Sequence, residues 1–104
     1  MLIYAVHDGA VMDAWARDFK DATPFVRFVG DPFGDLTNSL GMLLVDEGVR
    51  SVGLVDRCKR SVVVCDDGVA KVVAVAEGEG DPAGDTSPEV SLAEAVVDYM
   101  KDLE

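Results

Sequence analysis

The sequence predicts a single α/β domain with the element order β-α-β-α-β-β-α, and three observations carry that prediction. A short apolar run, an amphipathic segment and a second apolar run follow one another within the first thirty residues. A valine-rich stretch doubles back around Asp67-Gly68, and a segment starting near Ser91 keeps its apolar residues on one helical face. Elements mixed in this way pack as layers, with helices covering a sheet.

Leu2–Val6, apolar with β-branched and aromatic members, reads as a buried strand ended by His7-Asp8-Gly9. Asp8 is placed to cap a helix in which Val11, Met12, Trp15 and Phe19 share one side, while Asp13, Arg17, Asp18 and Lys20 face water. A second strand, Phe25–Val29, follows Pro24. Strand, helix and strand so close together form a βαβ unit, whose strands lie parallel with a right-handed crossover.

Asp31-Pro32 supplies an N-cap and a proline at the first helical position, and Gly41 a stop, which predicts a short helix over Pro32–Leu40. Met42–Val55, interrupted by Gly48 and Gly53, reads as an extended loop with a short helical turn. The strand signal returns at Ser61–Asp66; Asp67-Gly68 is a favoured two-residue hairpin turn, and Val69–Ala76 returns antiparallel. Glu77–Glu89, with three glycines and two prolines, reads as an exposed loop with no packing face. Ser91-Leu-Ala-Glu94 has the spacing of a capping box with Val90 as a staple, and Leu92, Ala95, Val96, Tyr99, Met100 and Leu103 form the docking stripe of the last helix. No internal repeat and no domain boundary is evident.

Composition narrows the function classes. A chain of 104 residues, 49% hydrophobic, is long enough for one small core. Nine Lys+Arg against twenty Asp+Glu leave a net charge of −11, with no cationic excess to displace counterions from nucleic acid or to hold an anionic membrane. No apolar run is long enough to span a bilayer, and MLIYAVHDG has neither the basic start nor the cleavage site of a signal peptide, so an intracellular location is expected, in the cytosol or an organelle. Two cysteines in such a chain point to reduced thiols.

Four stretches, "AVHDGAVMDAWARDF", "VRFVGDPFGDLTNSLGM", "RCKRSVVVCDDGVAKVVAV" and "SLAEAVVDYM", resemble in order and spacing the second part of type II peroxiredoxins, the peroxiredoxin-5-like group with a thioredoxin fold. The family segments read like V-N-D-x-F-V-x-x-x-W, A-D-P-x-G-x-F, K-R-(F/Y)-(S/A)-x-(V/L)-V-x-D-G-x-V-K and C-S-L-A. The resemblance implies a truncated thioredoxin-like fold. It also implies that Arg60, matching the arginine of the K-R strand, binds peroxide and stabilises a thiolate, a role suited to a permanent cation with five donors.

The departures bear on function. The family's nucleophile lies in P-x-x-x-(T/S)-x-x-C, upstream of the strand that Leu2–Val6 resembles, and neither Cys58 nor Cys65 has a proline seven residues before it. Val90 stands at the C-S-L-A cysteine. The resemblance further implies that the central strand of the sheet is missing, between Leu2–Val6 and Ser61–Asp66, leaving open edges at Leu2, Ile3, Tyr4, Ala5 and Val6 and at Val62, Val63 and Val64. Unpaired edges are costly when buried and invite pairing when exposed. Three outcomes follow: direct closure of the halves, exchange with an identical chain as a homodimer, or a different chain in the gap, which is the favoured one.

Other candidates have blander readings. Cys58, beside Lys59 and Arg60, is read as an incidental thiol at a strand entrance, with a reactive, sensor-type thiol as the alternative. Cys65 is read as a small buried hydrophobe. A bridge between them is disfavoured, since residues seven apart in one extended strand lie about 23 Å apart. His7 lacks companion ligands, the pairs Asp66-Asp67 and Asp46-Glu47 fall in a hairpin and a loop, and no phosphate-binding glycine motif is present, so neither cofactor nor metal is expected. The leading expectation is a non-catalytic, peroxiredoxin-like interaction subunit; the alternative is a fragment of an active thiol peroxidase whose cysteine comes from a missing segment or a partner chain.

Overall fold

A computed structural model describes residues 1–19 and 25–103. The chain forms two compact units, Met1–Cys58 and Lys59–Glu104. The predicted positions of Lys20 and Pro24 fall outside the described residues.

The first unit opens with β1 (Leu2–Ala5), α1 (Gly9–Asp18) and β2 (Arg27–Gly30). β1 and β2 pair in parallel, Leu2 with Arg27 through Ala5 with Gly30, as the short βαβ spacing requires. The Asp8 carboxylate accepts the Val11 N–H at 2.9 Å and so caps α1. Met12 points inward and is 1% exposed. Trp15 meets Phe28 of β2 edge-on at 5.1 Å, and Phe19 stacks on the same ring at 6.2 Å, so the aromatic residues at and just beyond the end of the helix pack on β2.

The second helix is shorter than the sequence predicts. Asp31-Pro32-Phe33-Gly34 closes a turn, with the Gly34 N–H donating to the Asp31 carbonyl at 3.1 Å, and α2 spans only Asp35–Ser39. Gly34, left-handed at φ 73°, is its N-cap; Pro32 serves the turn and not the first helical position. Asp31 still caps the helix, but from farther upstream. Its carboxylate accepts the N–H groups of Leu36 and Thr37, at 3.2 and 2.8 Å. The predicted stop at Gly41 is in place: with φ 69° it accompanies bonds from its own N–H to the Asn38 carbonyl and from the Met42 N–H to the Thr37 carbonyl, the six-to-one and five-to-two pattern of a Schellman end.

Met42–Val55 carries more order than a loop. Leu43–Leu44 (β3) pairs antiparallel with Arg57–Cys58 (β4), and Glu47–Ser51 (α3) is capped by Asp46, whose carboxylate accepts the Val49 N–H at 3.0 Å. Two-residue strands are too short to leave a periodic signature, which is why the sequence hides them.

The second unit is built on a hairpin of β5 (Ser61–Asp66) and β6 (Val69–Val75). Asp67 and Gly68 both have positive φ, 52° and 77°, as a two-residue turn matching strand twist demands. One extra residue, Lys71, stands between the pairs Val64–Val72 and Cys65–Ala70. Val64 is buried, and Cys65, its neighbour on the opposite face, is exposed, which corrects the expectation of a core cysteine.

The segment after β6 is organised as well, contrary to its reading as a loop without a packing face. Asp81-Pro82-Ala83-Gly84 repeats the turn of residues 31–34, with the Gly84 N–H on the Asp81 carbonyl at 3.3 Å and Gly84 at φ 71°. Gly84 lies so close to the Ala76 backbone that a β-carbon there would overlap its carbonyl oxygen. The capping box at Ser91 does not form. Glu89–Ser91 is a 3₁₀ turn in which the Ser91 hydroxyl donates to the Pro88 carbonyl at 2.8 Å, and the last helix, α4 (Ala93–Asp102), starts at Leu92 without a side-chain cap. Tyr99 anchors α4 by donating its hydroxyl to the Val90 carbonyl at 2.8 Å.

Among the described residues the strands form three two-stranded ladders, β1–β2, β3–β4 and β5–β6. The elements are the mixed α/β set predicted, and among the described residues the parallel pair and the hairpin each end after two strands. Among the described residues no helix is long and apolar enough to cross a membrane.

Candidate functional site at Arg60

Arg60 sits one residue before β5. Its carbonyl accepts the Ala76 N–H at 2.8 Å, which extends the hairpin by one rung and fixes the backbone from which the guanidinium projects. That side chain is 45% exposed, and one of its terminal nitrogens contacts the Asp85 carboxylate at 3.4 Å. Lys59, one position earlier, pairs with Glu77 at 3.3 Å. Each member of the cationic pair thus has its own carboxylate from the segment after β6.

Asp85 is aimed by the turn that precedes it. The Asp81 carboxylate accepts the N–H groups of Asp85 at 3.0 Å, Thr86 at 3.2 Å and Ser87 at 3.0 Å. Gly78 and Asp81 exchange a pair of backbone bonds, both 3.0 Å, at the base of the turn. Ala76, 1% exposed, lies under Gly84. Asp81 and Asp85 fall in the stretch that the sequence presents as an exposed loop with no packing face, so neither was singled out. The signal was present as the pattern Asp-Pro-x-Gly, with aspartate at the first turn position, proline at the second and glycine at the fourth.

The first unit holds a second polar cluster. Thr37 is 0% exposed, and its hydroxyl donates to the Asp31 carboxylate at 2.7 Å. This bond and the two backbone donors hold the Asp31 carboxyl below its ordinary pKa. The Tyr4 hydroxyl is buried with no hydrogen-bond partner among the described residues, and burial pushes its phenol up, with Thr37, Cys58 and Asp31 as neighbours. Cys58 is half-buried on β4 opposite Leu43, not at the entrance of the β5 strand. A shallow groove of about 300 Å³ between Pro32, Phe33, Gly34, Asn38, Leu43 and Asp56 is lined by no thiol or hydroxyl. His7 is exposed beyond β1, Asp66 ends β5 and Asp67 opens the hairpin turn, and Asp46 is a helix cap. Among the described residues no three His, Cys, Asp or Glu side chains are grouped to hold a metal ion.

Comparison with known proteins bears on the origin of this arrangement. The chain is 38% identical over 74 residues to chloroplastic peroxiredoxin-2E of Arabidopsis thaliana, covering 71% of this chain and 31% of the relative. It is 30% identical over 101 residues to the hybrid peroxiredoxin hyPrx5 of Haemophilus influenzae, covering 96% of this chain and 38% of that protein. The chain is thus a partial match to peroxiredoxins. It also superposes on a Burkholderia cenocepacia crystal structure described as a thioredoxin reductase, with a TM-score of 0.73, 34% identity and coverage of 93% of this chain and 51% of the other. The fold is accordingly a partial thioredoxin-like one, and the chain spans about a third of the length of the curated relatives it matches. No family model matches the chain.

Proposed function

We propose that these residues act as the receiving part of a peroxiredoxin-type fold: a protein-binding unit, not a peroxidase on its own, that takes up a strand from another polypeptide along its open sheet edges. The observation that carries this reading is that, among the described residues, β1–β2 and β5–β6 each stop at two strands, so each strand keeps one row of backbone donors and acceptors without a ladder partner there. Strand addition satisfies such a row by main-chain bonding, with alternate side chains supplying specificity. The candidate edges are Leu2, Ile3, Tyr4 and Ala5 of β1 and Val62, Val63 and Val64 of β5.

A second reading is favoured by Arg60, which this chain keeps in the family's strand context with an exposed guanidinium. Where the incoming strand carries a cysteine, the complex is a thiol peroxidase. The thiolate attacks one peroxide oxygen, the O–O bond breaks, the sulfur becomes a sulfenic acid and the leaving oxygen departs as hydroxide or alkoxide, taking up a proton. Arg60 holds the peroxide and stabilises the charge that develops.

Peroxide consumption separates the readings. The purified chain is expected to consume no hydrogen peroxide; turnover by the chain alone overturns the non-catalytic reading. In a complex with a peptide bearing the family's P-x-x-x-(T/S)-x-x-C segment, any activity should fall about 100-fold in Arg60→Ala. An unchanged rate removes Arg60 from the site. Alkylation of Cys58 at the rate of an ordinary thiol would dispose of the sensor alternative.

A further inference from the structure

The ion pair of Arg60 is built, not incidental. Four constraints converge on it within the second unit: the Ala76 N–H on the Arg60 carbonyl, the close seat of Gly84 on Ala76, the bonds from the Asp81 carboxylate to the N–H groups of residues 85–87, and the Asp85 carboxylate at the guanidinium. The loop is tied back to the residue whose side chain it engages. A carboxylate at 3.4 Å from a guanidinium nitrogen occupies a position that a small oxyanion or a thiolate would otherwise take.

We propose that Asp85 is a lock on Arg60: it fills the anion-binding edge of the guanidinium until an incoming anionic group displaces it, and the Asp81 turn sets how firmly it does so. This rests on the reading of Arg60 as the anion-facing residue of the site. Asp85 is a positioning residue in that scheme, since it acts through Arg60 and touches no reacting atom. The side chains are 45% and 77% exposed, so the lock is weak enough to be opened by a competing anion. It also explains why an acidic segment adjoins the one strand whose family role is to present a cation.

The test is a titration of the full chain with inorganic sulfate in chloride-free buffer, followed through the Arg60 side-chain Nε–H resonance. Asp85→Asn should bind sulfate about threefold to fivefold more tightly than the wild type, the size of an exposed ion pair. Asp81→Ala, which frees the loop but leaves Asp85 in place, should move the affinity in the same direction. Adding Arg60→Ala to either variant should abolish binding, read by calorimetry. If Asp85→Asn and Asp81→Ala bind sulfate as the wild type does while Arg60→Ala loses it, the lock is wrong and the role of Arg60 stands. If sulfate binding is indifferent to Arg60→Ala, the reading of Arg60 fails as well.

Discussion

The turns at Asp31-Pro32-Phe33-Gly34 and Asp81-Pro82-Ala83-Gly84 share one sequence pattern and one geometry, yet they do different work in the two units. In each, the aspartate carbonyl accepts the glycine N–H, the glycine is left-handed, and the carboxylate reaches forward to backbone N–H groups. In the first unit the aspartate is 8% exposed, a threonine hydroxyl joins the cluster, and a helix follows. In the second, the chain beyond the turn stays open to solvent and the next acid, Asp85, reaches outward to Arg60. Local sequence sets the turn, and burial decides whether its carboxylate becomes a structural post or the root of a surface loop.

The comparison can be broken most forcefully at Asp31. Asp31→Ala strands the buried Thr37 hydroxyl and two backbone donors, and is expected to destabilise its unit more than any single change at the Asp81 turn, read as loss of cooperative thermal unfolding in the first unit. Because the Asp31 carboxyl is held below its ordinary pKa by Thr37, its stabilisation is complete above the unfolded-state value and is lost as pH falls through the lowered folded-state value. Amide signals of the first unit should therefore weaken on acidification below about pH 4. Asp31→Asn should remove that acid dependence.

The second unit is most sensitive at Gly84. Gly84→Val meets both a positive φ and the Ala76 backbone, and should cost about 1–3 kcal/mol by urea denaturation. Asp81→Ala, which removes a half-buried cap on three backbone donors, should cost about 1 kcal/mol. The smallest effect sharpens the contrast from the other side. Tyr4→Phe deletes a buried hydroxyl that has no partner among the described residues, so it should be neutral or stabilise by about 1 kcal/mol, whereas a loss of similar size would mean that the hydroxyl is bonded in solution.

Much of this was legible in the sequence. Asp8 and Gly41 punctuate their helices where expected, and Asp67-Gly68 forms the hairpin turn, because each acts through its own immediate backbone. The misreadings came where a local signal had a competing use. Asp31-Pro32 was spent on a turn before the helix, and Ser91 bonded back to Pro88 and so could not cap forward. Cys65 follows a buried valine and alternation turns it outward. At the candidate site Arg60 was legible from its strand context, but Asp85 was not, since its approach to residue 60 depends on a turn that brings together positions 25 apart in the chain.

Native-state hydrogen exchange on the monomeric chain tests the receiving-edge account most directly. In β1, β2, β5 and β6 the amides that face a ladder partner should be protected, and those facing the open edge should exchange at nearly the unfolded rate until a strand is supplied. Uniform protection of all four strands in the isolated chain would mean a closed sheet with no edge to offer, and would contradict the account.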